Sequence, residues 1–548
     1  MMLPHAIRRN LPILRQVTLL ALPVMFANLL QSLVNVVDVF MAGRLGPIEI
    51  AAVGMSTTIR MLIFIMVLSV TAGAMALAAQ AKGARDPQKL SFVARQSLTL
   101  TVLLGALLSI TGYFIAEPLL GFLNSGGDPR AVILGTEYLQ LLFIGTTLLI
   151  GNFLVNSLMQ GAGDTLTPLF LSGGVNLLNI GFNVVFMFGL GPVPAFGVAG
   201  AAMGTLAARF IGMIIGVGLL YSSKSVIRIL PGSYIPDWQM FKDILSIGIP
   251  SGLQGMVRNS AQLLVIRIVT STAAGTFGAA ALAIGFQVES LAFMPGLGIN
   301  VAATSLVGQA LGAWQVRDAK KRGSIAIMLG ILVMSSISLP LIIFAPQIIL
   351  LFDPSAHPTV VAAGTSYLRI YTFFQPVLAI GMVTNGALRG AGDTRPGLFG
   401  NIYGRWLVAV PLAYILALPL GFGVEGVWWA LAVGTTVAAL YVLRRWLSEA
   451  WVEVALHKTS IYRQHLQHLS LESRQQFLER VRSPLMAAAG TIEVLEPNSV
   501  HYRNDQQHVI ITFDYEANSY HISQGQQWLK QLQRQRPLPV ARVAPAYD

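Results

Sequence analysis

Runs of about twenty apolar residues recur along the first 447 positions of this chain, separated by short loops that hold most of the charge. A hydrocarbon core about 30 Å thick needs roughly 20 such residues in one helix. Lipid offers no hydrogen bonds, so a spanning segment must satisfy its own backbone, and a helix does so. Read with that template, the spans lie near 17–40, 54–80, 96–117, 136–158, 169–190 and 200–221, then near 244–268, 281–307, 324–345, 361–386, 397–417 and 425–447. Six and six make twelve. Only 11% of the residues are charged, against about 25% in soluble domains. The first run follows Arg8, Arg9 and Arg15 but is too long for a signal-peptide core and lacks a small-residue cleavage site, so it is read as a retained span.

The basic residues set the orientation. The N-terminus and the even-numbered loops carry Arg8, Arg9, Arg15, Lys82, Arg85, Lys89, Arg95, Lys224, Arg228, Lys242, Arg317, Lys320, Lys321, Arg322, Arg389, Arg395, Arg444 and Arg445. The odd-numbered loops carry Arg44 and Arg130. By the positive-inside rule both termini are expected in the cytoplasm, with the chain multi-pass in a cell inner membrane. The net charge of +12 is spread over these loops rather than gathered in a stripe, so no nucleic-acid partner is expected. Cysteine is absent, which excludes disulfides and Cys-ligated metal; no metal site or cofactor is expected.

The two sets of six spans are a repeat with a spacing near 229 residues. Asn156-Ser-Leu-Met-Gln-Gly161-Ala-Gly-Asp164-Thr165 returns as Asn385-Gly-Ala-Leu-Arg-Gly390-Ala-Gly-Asp393-Thr394. Gly135-Thr-Glu-Tyr138 returns as Gly364-Thr-Ser-Tyr367, Gln80-Ala-Lys-Gly83 as Gln309-Ala-Leu-Gly312, and Leu22-Pro23 as Ile249-Pro250. An even number of spans per copy makes the repeats parallel, a plan used by secondary transporters. The Gly-Ala-Gly-Asp-Thr loops lack the lysine and the preceding strand of a phosphate loop. They read as tight turns in which Asp164 and Asp393 cap the next helix.

The doubled Gly-Ala-Gly-Asp-Thr loop, the segment Val36-Val37-Asp38-Val39-Phe40-Met-Ala-Gly43-Arg-Leu-Gly46 and the twelve-span plan resemble the multidrug and toxic compound extrusion (MATE) family, in its DinF-like branch. The resemblance covers residues 10–447. It implies two six-helix lobes around a central cleft, alternating access, and export driven by inward flow of H⁺ or Na⁺.

Polar residues within spans are the candidate sites, because each costs free energy in lipid. Asn28, Gln31, Asn35 and Asp38 recur at steps of 3, 4 and 3 and share one helical face. Asn176, Asn179 and Asn183 follow the same rhythm in the fifth span, and the fourth adds Asn152 and Asn156. Hydrogen bonding between helices accounts for many such amides. Asp38 stands apart as the acid of this lobe's interior. Burial favours the neutral form of a carboxyl group, which lets such a group take up and release a proton as access alternates. The resemblance implies a coupling set of Asp38, Asn179, Asn183 and Thr205. Asn183 stands where an acid is common, and one carboxylate in place of two favours H⁺ over Na⁺ as the coupling ion.

The second lobe reads differently. Arg258 stands where a second family arrangement would place a Glu, and Gln375-Pro-Val-Leu378 also lacks an acid. Along the repeat, Gln31 corresponds to Arg258, Asn176 to Arg405 and Asp38 to Val265. Arg209, Arg267 and Arg369 add basic groups within the spans, and Glu289 and Glu425 are the acids expected to pair with some of these arginines. Arginine grips carboxylates in a bidentate fork, so Arg258 and Arg405, with Gln262 four residues beyond Arg258, form a candidate site for an anionic substrate.

The expected fold is an all-α polytopic membrane protein with a small soluble α+β domain at its end. Its parts are a lobe over 1–222, a linker over 223–243, a second lobe over 244–450 and a cytoplasmic tail over 451–548. The tail has helical spacing from Tyr462 to Val481, alternation at Thr491–Glu496, Val500–Arg503 and Val509–Tyr515, and a closing helix at Gln526–Arg534. The expected function is H⁺-coupled export of small organic compounds. Export of organic anions and flipping of a lipid-linked precursor are the alternatives. No nucleophile–base set points to an enzyme. The lipid bilayer is the expected surroundings, no oligomer is required, and the tail is a surface for a cytoplasmic partner.

Overall fold

The computed structural model describes residues 5–123, 128–223, 225–455, 491–496, 499–504, 507–514 and 519–524. Contacts divide the chain into two units, Met1–Ala455 and Leu456–Asp548.

In the first lobe α1 (His5–Gly43), α2 (Pro47–Gly83) and α3 (Pro87–Leu123) are followed by α4 (Pro129–Ile144), α5 (Thr146–Gly161), α6 (Leu166–Phe188) and α7 (Gly197–Tyr221). The second lobe holds α8 (Trp238–Thr270), α9 (Gly275–Gly312), α10 (Val316–Ile343), α11 (Ala345–Phe352), α12 (Pro358–Phe373) and α13 (Gln375–Gly390). It closes with α14 (Arg395–Asn401), a π-helical stretch (Ile402–Ala409), α15 (Val410–Ala417) and α16 (Gly423–Leu447). Among the described residues, seven helices are singly long and apolar enough to cross a membrane. The pair α4–α5, bent by 51°, makes an eighth. The remaining expected spans fall on α2, α8, α12–α13 and the α14–α15 run. Of these, α2 is one continuous helix, α8 carries Arg258 and Arg267, and the other two are divided into shorter helical segments.

The repeat extends to the backbone. Gly163 (φ 90°) and Gly392 (φ 81°) end the doubled turns in the left-handed region, where a Cβ is disfavoured. Arg85 (φ 54°) and Trp314 (φ 61°), again one repeat apart, take the same conformation after α2 and α9. The turns diverge in their capping. Asp164 Oδ1 accepts the Thr167 N–H at 3.0 Å and caps α6. Asp393 does not cap: the equivalent position is Pro396, which has no N–H. Its carboxylate instead accepts from Arg445 Nε at 2.8 Å.

The linker is tied to α3. Arg95 Nη1 donates to the Leu230 carbonyl at 2.5 Å, Ser91 Oγ accepts from Leu230 N at 2.8 Å, and Gln96 Nε2 donates to the Ile235 carbonyl at 2.9 Å. Asp237 then caps α8 through Met240 N at 2.7 Å. The second lobe thus begins at Trp238, six residues before the expected 244. Its last described helical turn runs past the expected boundary at 450, because Trp451 stacks on Trp446 with ring centroids 4.6 Å apart.

The lobes meet along glycines. A Cβ on Gly248 would lie 1.5 Å from the Ser69 carbonyl, one on Gly73 2.1 Å from that of Ile244, and one on Gly298 2.5 Å from Met25 Cγ. Backbones approach this closely only where side chains are absent, the usual device for helix contact in lipid. These contacts occupy the halves of α1, α2, α8 and α9 nearer the face that carries the N-terminus.

The second unit contains an antiparallel sheet of β1 (Thr491–Glu496), β2 (Ser499–Asn504), β3 (Gln507–Asp514) and β4 (Ser519–Gln524), in that order. The fourth strand was not expected, although Tyr520 and Ile522 alternate with polar neighbours. The helices expected at Tyr462–Val481 and Gln526–Arg534 lie outside the described residues.

Candidate functional site

The first lobe gathers the four expected coupling residues from three helices. Asn183 Nδ2 (α6) donates to Asp38 Oδ1 (α1) at 2.8 Å. Asn179 Nδ2 (α6) donates to Thr205 Oγ1 (α7) at 3.1 Å and lies 3.5 Å from Asn183 Oδ1. Thr205 Oγ1 in turn donates a hydrogen bond to the Ala201 carbonyl at 2.9 Å. The result is one polar chain, Asp38–Asn183–Asn179–Thr205. Asn179 and Asn183 are buried, and Asp38 and Thr205 half-buried. The 3, 4 spacing of α6 puts its asparagines on the face packed against α1 and α7, and Gly204 gives Asn183 room: a Cβ there would meet Asn183 Oδ1 at 2.2 Å.

The other expected amides of this lobe divide into two groups. Asn152 is structural: its Nδ2 bonds the Leu148 and Arg209 carbonyls at 2.9 and 2.7 Å and ties α5 to α7. Gln31 Nε2 reaches Asn35 at 3.4 Å, and Gln31 Oε1 lies 3.5 Å from Arg209 Nη2, whose guanidinium sits over Phe153. Asn156 Nδ2 bonds Ser172 Oγ at 3.0 Å, leaving its buried Oδ1 without a partner, as is the buried Nδ2 of Asn176. Asn28 is half-buried on the same face of α1 as Gln31.

The second lobe holds a different network. Glu289 of α9 is buried, accepting from Tyr367 Oη at 2.6 Å and Gln375 Nε2 at 3.3 Å. Arg405, in the π-helical stretch, donates to Tyr371 Oη at 3.0 Å, and Tyr371 lies 3.3 Å from Thr435 Oγ1. Tyr367 and Tyr371 stack at 5.4 Å between ring centroids and join the two halves of the network. Arg258 lies 6.0 Å above the Phe293 ring centroid. Its side chain keeps accessible surface. Arg258, Arg405 and Glu289 are within electrostatic range of one another. The direct Arg–Glu pairs expected from sequence do not form among the described residues. Glu289 satisfies its lone pairs with tyrosine and glutamine instead, and Glu425 is exposed near the start of α16. Gln262 Nε2 and Gln375 Oε1 are buried without partners.

Sequence reasoning missed the tyrosines. Tyr367 was visible as part of the repeated Gly-Thr-x-Tyr motif, but its partner is 78 residues away on α9. The π-helical stretch had no sequence signal. Such stretches are rare and are frequently found at functional sites. Among the described residues no group of three acids or histidines could hold a metal.

The MatE family matches residues 23–185 and again residues 250–415, once in each lobe. The chain belongs to the MATE family. It is a multi-pass membrane transporter of two repeated helical lobes. The multidrug resistance protein NorM of Burkholderia vietnamiensis is 30% identical over 438 residues, covering 78% of this chain and 92% of that protein. The multidrug resistance protein PmpM of Pseudomonas aeruginosa is 28% identical over 441 residues, covering 79% and 91%. Among solved structures, the outward-facing conformation of a multidrug resistance MATE transporter aligns with a TM-score of 0.73 at 27% identity, covering 80% of this chain and 97% of that one. A MOP superfamily transporter from Pyrococcus furiosus, described by the reverse polarity of its binding pocket, aligns at 0.74 with 27% identity, covering 80% and 96%.

Proposed function

We propose that this MATE transporter exports small organic compounds from the cytoplasm of a cell with its termini inside, in exchange for H⁺, by alternating access of its two lobes. The observation that carries this reading is the chain Asp38–Asn183–Asn179–Thr205, which links one carboxylate to three helices of a single lobe. Protonation of Asp38 removes the charge that Asn183 stabilises and makes a hydroxyl donor where there was only an acceptor. The bond from Asn183 is then weaker, and the new donor can draw the chain that joins α1, α6 and α7 into a different arrangement. A proton taken up from outside is thereby converted into a change of helix packing, which is what coupling requires. With the termini inside, close contact of the lobes at the face that carries the N-terminus supports reading this arrangement as outward-open, ready to receive that proton. The multidrug names of NorM and PmpM support organic compounds as the cargo. The test is dye efflux from proteoliposomes under a pH gradient, for the native chain and for Asp38→Asn. A native chain that responds to a Na⁺ gradient and ignores the pH gradient would sink the proton assignment.

A second reading rests on the other lobe. Arg258 and Arg405 replace amides found at the matching positions of the first lobe, and Gln262 and Gln375 present unpartnered polar atoms. Such a group suits a carboxylate-bearing substrate. Citrate uptake driven by a pH gradient, lost in Arg258→Ala while cationic dye transport persists, supports it; equal loss of both or of neither counts against it.

A further inference from the structure

The last turn of an α-helix leaves its final carbonyls without intrahelical partners. In α5 the doubled turn accounts for three of them: Ala162 N bonds Leu158, Asp164 N bonds Met159 and Gly163 N bonds Gln160. In α13 the same turn does the same, with Ala391 N to Ala387, Asp393 N to Leu388 and Gly392 N to Arg389. One carbonyl remains in the last turn of each of these two helices, that of Gly161 in α5 and that of Gly390 in α13. Each is taken by the opposite lobe. Gln309 Nε2 donates to Gly161 O at 3.2 Å, joined by Ser305 Oγ at 3.0 Å, and Gln80 Nε2 donates to Gly390 O at 3.0 Å.

The arrangement is reciprocal. Gln80 and Gln309 are one repeat apart, as are Gly161 and Gly390. Beside each glutamine the backbones close on glycine: a Cβ on Gly83 would lie 1.9 Å from the Gln309 carbonyl, and one on Gly312 1.9 Å from the Gln80 carbonyl. The symmetry is broken at one place, since Ser305 has Ala76 as its counterpart. Gln309 also donates to Ser305 at 2.9 Å, so one half of the clasp has three hydrogen bonds and the other has one.

We propose that Gln80 and Gln309, with Ser305, are gating residues that clasp the two lobes together at the N-terminal face and must release for that face to open. This rests on the alternating-access reading above. Amide-to-carbonyl bonds suit the task. In the closed seam they answer helix-end carbonyls that would otherwise be buried unpaired, whereas in the open seam water replaces both partners. Each bond therefore holds weakly in net terms and lets go reversibly. The repeated motifs thus acquire a joint purpose, in which the Gly-Ala-Gly-Asp-Thr turn presents a carbonyl and the other lobe's Gln-x-x-Gly receives it.

The native chain has no cysteine, so spin labels can be placed at Arg85→Cys and Arg317→Cys, exposed positions on this face in different lobes. Pulsed electron–electron distances would be measured on full-length protein in nanodiscs. Gln80→Glu with Gln309→Glu keeps shape and replaces each donor by an acceptor. The longer-distance population is expected to rise about tenfold, as loss of several neutral hydrogen bonds implies. Gln309→Glu alone should shift it more than Gln80→Glu alone. Gln80→Met with Gln309→Met, which removes the donors without adding charge, gives the same direction should the charged variants fail to fold. Unchanged distances in a folded double variant would overturn the clasp. The readout needs no substrate, so distances that shift in a chain that exports nothing would refute the export reading and leave the clasp standing.

Discussion

The two lobes repeat each other's backbone to the level of single turn conformations and yet carry opposite electrostatics. The first holds a half-buried acid in a chain of amides, where hydrogen bonds can be exchanged one for another. The second holds an acid, Glu289, buried under a tyrosine and a glutamine, with two arginines in range. A group that must gain and lose a proton needs access and replaceable partners. A group with both oxygens committed to buried donors is better suited to holding helices in place. The difference teaches that duplication preserved the packing surface, where glycines and turns leave no latitude, while interior polar positions were free to specialise.

The contrast can be broken most directly at its two acids. Asp38→Asn is expected to reduce pH-gradient-driven export to background while leaving the thermal midpoint almost unchanged, because the amide still accepts from Asn183. Glu289→Leu should act in the opposite way. It orphans Tyr367 Oη and Gln375 Nε2 at about 1–3 kcal/mol each and removes the counter-charge near Arg405, so a marked drop in thermal midpoint is expected. A stable Glu289→Leu protein that no longer exports, beside an active Asp38→Asn protein, would exchange the roles assigned to the lobes.

Asn183→Asp sharpens the comparison further. A second carboxylate beside Asp38 creates a pair able to share a cation, and export is expected to become more sensitive to Na⁺ than that of the native chain. Proteoliposome efflux at fixed pH with and without Na⁺ measures this; indifference to Na⁺ would show that a second acid alone does not make the site. The smallest effect is at the doubled turns. Asp164→Ala loses a helix cap and should cost about 1 kcal/mol. Asp393→Ala loses an ion pair with a partly exposed arginine and is expected to cost about 0–1 kcal/mol. Chemical denaturation of the two variants side by side would detect an inverted order.

The sequence by itself determined the membrane class, the two-lobe repeat and the first-lobe cluster. The spans rest on runs of apolar residues, the repeat on motifs that recur in order, and the polar faces of the first and fifth spans on periodicity, since a helix converts spacing directly into a shared face. Asp38, Asn179, Asn183 and Thr205 were named together because the resemblance to the family implies that set. Their linkage across α1, α6 and α7 required the packing. Tertiary structure alone decided the fate of the second-lobe charges. Glu289 and Tyr367 are 78 residues apart, and no local pattern shows that a tyrosine, rather than Arg258, would take the carboxylate. The same holds for the seam. The motifs around Gln80 and Gly390 were legible as repeats, but their 310-residue hydrogen bond exists only because glycines let two helices approach backbone to backbone. Sequence spacing encodes what one helix presents, and only packing determines what meets it.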